Sequence, residues 1–401
     1  MAHDHPSAKA PAAVRRFLAA AAIPFILGTA LGLVLLWPSG ARLQGRPGFD
    51  FPAEIVRAEV TEVRVDSCPG EGTEEVQGGI DCRFVTFLLR DGRNEGDAVT
   101  LPMSTEDAAP DLAPGDKVVL GHVPDAPADL QYYFADFERR APLTILAVLF
   151  AVVVVALGRW RGLMALGGLV VTVIILIWFV LPAILEGKDP LLISIVGSSA
   201  VMIVALYMAH GVNVRSTTAM LGTFISLILT GALAWVFVEF GQFSGFTSEE
   251  ALFLDLSAGQ VNLKGLLLGG IIIGSLGVLD DVTITQASAV WELHLANPRY
   301  GAADLYRSAL RIGRDHIASV VNTLLLAYAG ASLPLLILFS LANASLGNVV
   351  NGEIVAVEVV RTLVGGIGLV ASVPVTTGLA ALLIGRFREG GPGDDSEEIA
   401  L

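Results

Sequence analysis

Along most of this chain apolar residues come in long runs and do not alternate with polar ones. Crossing a hydrocarbon core of ~30 Å takes about 20 apolar residues. Eight runs of roughly that size stand out, over residues 17–37, 141–158, 163–185, 191–209, 217–239, 264–285, 317–341 and 356–385, and each predicts a transmembrane helix. The second is short, and the last is long and interrupted by Pro374. Residues 38–140 are patterned differently. Turn signals such as Asp91-Gly92 and Pro114-Gly115-Asp116 separate short segments, which predict strands at Ala53 to Val65, Arg83 to Arg90, Asp97 to Met103 and Lys117 to Val123. About 100 residues of this kind suggest a small β-barrel or sandwich. The predicted fold class is an α-helical polytopic membrane protein with about eight transmembrane helices and a small extracytoplasmic β domain between helices 1 and 2.

Basic residues set the predicted orientation. Arg15 and Arg16 precede the first run, Arg159 and Arg161 follow the second, and Arg215 follows the fourth. Arg299, Arg307, Arg311 and Arg314 lie between the sixth and seventh, and Arg386 and Arg388 follow the last. Eight spans with both termini inside put all of these in the cytoplasm, as the positive-inside rule asks. The expected location is the bacterial plasma membrane, with the lipid bilayer as first partner. The first run exceeds the 7–15 residue apolar core of a secretory signal and has no A-x-A site after it, so it reads as an uncleaved anchor. The expected organisation is a cytoplasmic N-terminus (1–16), an anchor helix (17–37), the β domain (38–140), a seven-helix membrane domain (141–386) and an acidic cytoplasmic tail (387–401).

Composition agrees and excludes other classes. Hydrophobic residues are 54% of the 401, charged residues 16%, and the mean hydropathy is +0.68. A soluble domain is nearer 45–50% apolar and about 25% charged. The net charge of -14 has the wrong sign for a nucleic-acid binder. Residues 38–140 hold 20 Asp/Glu against 10 Lys/Arg, so most of that charge belongs to the polar block. Both cysteines, Cys68 and Cys82, fall there too. Outside the cytoplasm a disulfide is the natural reading; a metal site lacks companions, since His122 is the only nearby histidine. The segment Gln131 to Arg140, with four aromatics, reads as an interfacial anchor. His3-Asp4-His5 makes a weak chelating tract, no metal is assigned, and no cofactor is expected.

Acids within membrane spans are rare and functional by default. The sixth run carries Asp280, Asp281, Thr283, Thr285 and Gln286. A helix starting at Lys264 puts Asp280 about 24 Å along its axis. Gly270, Gly274, Gly277, Asp281, Thr285, Ser288 and Glu292 follow helical spacing and share one face. Its glycine half would let another helix approach closely, and its other half offers oxygen ligands for a cation or proton. The structural alternative is that the acids cap a break or pair with an arginine. In the eighth run Glu358 and Arg361 are one turn apart, Arg361 being free to neutralise Glu358 or reach an aspartate. In the seventh, Asp315, His316, Ser319, Asn322 and Thr323 cluster. In the fifth, Thr223, Ser226 and Thr230 form a hydroxyl face that suits packing. A working site predicts that Glu358, Arg361 or Asn322 comes within hydrogen-bond reach of the aspartates.

The segment Gly274 to Leu293 (GSLGVLDDVTITQASAVWEL) resembles the hallmark of the YibE/F family of bacterial membrane proteins. So does Gly313 to Leu324 (GRDHIASVVNTL), continuing into Tyr328 to Pro334, and Glu358 to Val373 (EVVRTLVGGIGLVASV) resembles the family's last span. The resemblance covers about 140–386. It implies a multi-span membrane protein of the kind often suspected to be a permease, and it carries no catalytic residue. GxxxxGK[ST], HExxH and CxxC are absent from the sequence, and no enzyme activity is expected. Two functions are therefore expected in turn: an ion- or proton-coupled permease built around the aspartates with a small ion or proton as ligand, or a non-transporting envelope anchor acting through the β domain. Homo-oligomers or an envelope partner fit either.

Overall fold

The computed structural model describes residues 12–40, 54–67, 81–103, 110–124, 126–127, 130–258, 261–341 and 345–389. His3-Asp4-His5, Cys68 and the tail beyond 389 lie outside these. Two compact units emerge, one of residues 45–153 and one joining 1–44 to 154–401.

The smaller unit is a five-stranded antiparallel sheet of order β3-β2-β1-β4-β5, with β1 at Glu54–Ser67, β2 at Asp81–Leu89, β3 at Ala98–Met103, β4 at Lys117–His122 and β5 at Tyr132–Phe137. Bulges at Val60/Glu62 and Val119/Leu120 increase the curl, and the sheet forms a half-barrel whose edge strands β3 and β5 touch. One face is apolar because alternate residues point the same way: Val56, Ala58 and Val60 meet Val85, Phe87, Leu89, Val118 and Leu120 in one core. Cross-strand ion pairs Arg57–Asp91 and Arg90–Glu59, each 2.6 Å, decorate the rim and are worth about 0–1 kcal/mol apiece. Within the segment expected as an interfacial anchor, Tyr132–Phe137 forms strand β5. Tyr132 to Phe137 pairs with β4, and Tyr132 stacks on buried His122 at 4.7 Å.

The larger unit is helical. Its elements are α1 (Ala12–Leu35), α2 (Arg140–Ile175, entering from the smaller unit), a π-helical turn at Leu176–Val180, α3 (Leu181–Leu185), α4 (Pro190–His210), α5 (Val214–Phe240), α6 (Glu249–Ala258), α7 (Leu263–Ala296), α8 (Ala302–Ala331), α9 (Leu333–Leu341), α10 (Leu346–Asn351) and α11 (Glu353–Glu389). Among the described residues six helices are long and apolar enough to cross a membrane, or seven if α8 and α9, bent by 63°, form one span. This is a multi-pass membrane protein. One of the six is the 46-residue run Arg140–Leu185. It is broken at Arg159 (φ 50, ψ -130), and a Cβ on Gly162 would stand 2.3 Å from the Val154 carbonyl oxygen. Residues eight apart in a straight helix are about 12 Å apart along the axis, so the chain doubles back there. At the expected interruption at Pro374 the helix runs on: α11 continues through it, as membrane helices tolerate.

At the centre α7 packs on α4, α5, α8 and α11. Close approach depends on missing side chains: a Cβ on Gly368 of α11 would lie 2.0 Å from Thr230 Oγ1 of α5, and one on Gly222 of α5 would lie 2.2 Å from Thr376 Oγ1 of α11. The α1 helix is built into this bundle. Val14, Leu18 and Ala22 join the core around Met202, Ala219 and Phe224. Beyond its end, Glu186 accepts the backbone N–H groups of Ser39 and Gly40 and the Ser39 hydroxyl. Lys188 donates to the carbonyls of Leu36 and Trp37. The Ser39 N–H, then the Ser39 hydroxyl and Lys188, hold the Glu186 carboxyl down at about 2 against an ordinary 4.5, over an opposing desolvation.

Candidate functional site

The Asn262 side chain caps α7, accepting from the Gly265 N–H at 3.0 Å. Its antiparallel register with α5 is pinned by Lys264–Glu239 (2.7 Å) near one end, Thr223 Oγ1 to Thr283 Oγ1 (2.6 Å) in the middle and Arg215–Glu292 (3.6 Å) near the other. These contacts fix how α7 is rotated, and the rotation separates the two aspartates, which lie 100° apart around the helix.

Asp281 is exposed, together with Gly270, Gly274, Gly277, Thr285 and Glu292. The face expected to receive another helix is therefore the open face of α7 in this chain. Among the described residues nothing comes within 4 Å of a Cβ on Gly277, and Gly274 meets only the Tyr328 hydroxyl.

Asp280 turns the other way. It borders a cavity of about 260 Å³ between α7, α4 and the end of α2 with its π-helical turn. The other walls are Thr172, Leu176 and Val180, then Gly197, Ser198, Val201, Met202 and Ala205 of α4, and Ile273, Leu276 and Gly277 of α7. Asp280 Oδ1 and Ser198 Oγ are both buried and have no hydrogen-bond partner among the described residues. Gln286 Nε2 and Thr376 Oγ1 are likewise unpaired among the described residues, but most hydroxyls of the bundle are bonded. Ser199 donates to the Ile195 carbonyl at 2.7 Å, and Thr223, Ser226, Thr230 and Ser275 each bond the carbonyl four residues back. Buried polar atoms are nearly always paired, so two unpaired ones on one cavity call for an explanation. In the π-helical turn the Leu181 N–H reaches back five residues to the Leu176 carbonyl rather than four to Ile177, and the next residue, Pro182, has no N–H to continue the ladder. Such turns often occur at functional sites.

A family model for YibE/F-like proteins matches residues 146–386. The chain belongs to the YibE/F family. No curated protein and no solved structure matches the chain. The family region holds every wall of the Asp280 cavity and leaves the sheet outside.

The remaining residues singled out from the sequence go elsewhere. Thr283 is buried, bonded to Thr223 and to the Asp280 carbonyl (3.1 Å). Thr285 is exposed. Gln286 is fully buried; its Oε1 accepts from Thr377 at 3.0 Å, while its Nε2 has no partner among the described residues. Asn322 is exposed on α8. Arg361 donates to Glu358 within α11 at 2.9 and 3.2 Å. Glu358 borders a separate cavity of about 220 Å³ with Tyr328, Ser332 and Thr362, and Arg361 Nη2 lies 4.0 Å from where a Cβ on Gly270 would stand, about 15 Å along α7 from Asp280. Neither Glu358, Arg361 nor Asn322 bonds an aspartate among the described residues. The cavity thus brings together one residue singled out from the sequence, Asp280, and two hydroxyls that were not, Ser198 and Thr172. The signals that point to them are Gly197-Ser198-Ser199 inside an apolar run and Leu181-Pro182 at the end of another.

An unpaired carboxylate in a low-dielectric wall has two favourable outcomes: it takes up a proton, or a cation enters beside it.

Proposed function

We propose that this protein is a membrane transporter whose coupling site is the Asp280 cavity, with the carboxylate alternately holding and releasing a proton or cation. The observation that carries this reading is the pair of unpartnered buried oxygens, Asp280 Oδ1 and Ser198 Oγ, of two residues that line one cavity. A structural carboxylate would be bonded to a cap or an arginine, and Arg361 is engaged by Glu358 instead. The reading includes eight spans with both termini in the cytoplasm. The reversal at Arg159 supports it, because 46 helical residues would extend about 69 Å, over twice the hydrocarbon thickness. It places the sheet outside the cytoplasm, stapled by a Cys68–Cys82 disulfide.

The test is proton uptake by proteoliposomes under an imposed potassium diffusion potential. Asp280→Asn abolishes uptake while the protein elutes as a single folded species, and Asp281→Asn retains most of it. Equal activity of wild type and Asp280→Asn overturns the proposal. A second reading, an envelope protein acting through its sheet, is favoured by that unit's self-contained core. It predicts that deleting residues 45–135 destroys function in cells while Asp280→Asn stays active.

A further inference from the structure

The same cavity restricts what can enter it. Its single charge is an acid, so an anion is disfavoured. Its side-chain oxygens are those of Asp280, Ser198 and Thr172, and the Thr172 hydroxyl proton is already given to the Gly168 carbonyl at 2.9 Å. Hard divalent cations take six or more oxygens, and no cluster of three His, Cys, Asp or Glu occurs among the described residues. The rest of the lining is apolar or glycine, with Leu176, Val201 and Ile273 typical. A bare proton leaves a volume of about 260 Å³ unexplained. A cavity of about 150 Å³ accepts benzene, and at that density this one holds about ten non-hydrogen atoms.

We propose that the Asp280 cavity binds a small organic ammonium ion, with Asp280 as counter-ion, the Ser198 hydroxyl as hydrogen-bond acceptor and the aliphatic wall holding the hydrocarbon part. The inference rests on reading this cavity as the transport site and names its substrate class. Asp280 and Ser198 border the same cavity, each with an unpartnered oxygen, and an ammonium carries N–H donors enough for both. Gly277 lines the cavity. A Cβ there meets nothing within 4 Å, so a side chain at this position starts from open space beside the ligand.

The experiment measures equilibrium binding of benzylammonium and of benzyl alcohol, its neutral counterpart, to the full chain in lipid nanodiscs. Benzylammonium binds saturably to the wild type, and benzyl alcohol binds at least about thirtyfold more weakly, as expected when a buried charge pair loses one partner. Asp280→Asn removes the preference for the ammonium, Ser198→Ala weakens it, and Gly277→Leu reduces binding of both compounds. Equal affinity for amine and alcohol on the wild type overturns the inference, whatever the variants do, and so does full competition by millimolar sodium. If benzylammonium fails to bind but Asp280→Asn still abolishes proton uptake, the substrate class is wrong and the transport reading stands. If proton uptake survives in Asp280→Asn, the transport reading falls on its own.

Discussion

Replacing Asp280 by leucine exchanges two carboxylate oxygens for two methyl groups on the same branching skeleton. Oδ1 is buried with no partner among the described residues, and such an acceptor costs about 1–3 kcal/mol in lost hydration. The methyls would face a wall of Leu176, Val180 and Met202 with free volume beside them, so no overpacking opposes the change. Asp280→Leu should therefore stabilise the folded protein by about 1–3 kcal/mol while abolishing coupled transport, a trade common at functional sites. Asp280→Asn keeps a polar group in the same wall and should gain much less. Thermal unfolding in detergent, followed by loss of the monodisperse fluorescent elution peak, reads the difference as a rise of a few degrees. If Asp280→Leu unfolds at or below the wild-type temperature, the carboxylate makes a stabilising contact, and its assignment as an unsatisfied functional group is wrong.

Four further expectations follow from the packing. Glu186→Gln should lower the melting temperature at pH 7. Because the folded carboxyl sits at about 2 against 4.5, its contribution is complete above about pH 4.5 and fades as pH falls towards 2; the gap between wild type and variant should close over that window, and a pH-independent gap would contradict the assignment. Arg159 holds a positive φ that favours glycine, so Arg159→Gly should raise stability by about 1–3 kcal/mol, read by the same melt. Gly368→Ala pushes a methyl into Thr230 and should cost about 1–3 kcal/mol, with partial recovery in the double variant with Thr230→Ala; no coupling in that cycle would disprove the contact. Maleimide labelling of the denatured, unreduced protein should find neither Cys68 nor Cys82 reactive, and reduction should destabilise the sheet domain by about 3 kcal/mol.

The helices were legible because each long apolar run has few alternative uses, and the break at Arg159 fell where two runs met. The strands before residue 123 were legible from turn signals. The strand at Tyr132 to Phe137 was not legible, because an aromatic stretch before an apolar helix reads first as an interface, and its pairing with β4 is a non-local contact. The site was half legible. Spacing put Asp281 on the glycine face and left Asp280 beside it, but spacing within one helix cannot say which face meets a neighbour. That depends on non-local contacts such as Thr223–Thr283. Ser198 was hidden because a serine in an apolar helix ordinarily bonds its own backbone, as Ser199 does; its lack of a partner is visible only in three dimensions. Glu358 and Arg361, one turn apart, read as a potential pair from spacing alone, and their mutual bond removes them from the aspartates.

The clasp on the end of α1 has a consequence for biosynthesis. Ser39 and its acceptor Glu186 are 147 residues apart in sequence. At roughly 5–20 residues per second of synthesis, α1 emerges about 7–30 s before the loop that secures it. During that interval the strands of the sheet, whose contacts all fall between residues 54 and 137, can complete their pairing. The first helix waits in the membrane, its apolar flanks tolerated by lipid; its end is met first by Phe179 and Glu186, and its earlier residues only when α4 and α5 arrive. A chain stalled before Leu176 would therefore hold a finished sheet and an unclaimed first helix, and final closure of the bundle is a late, long-range event.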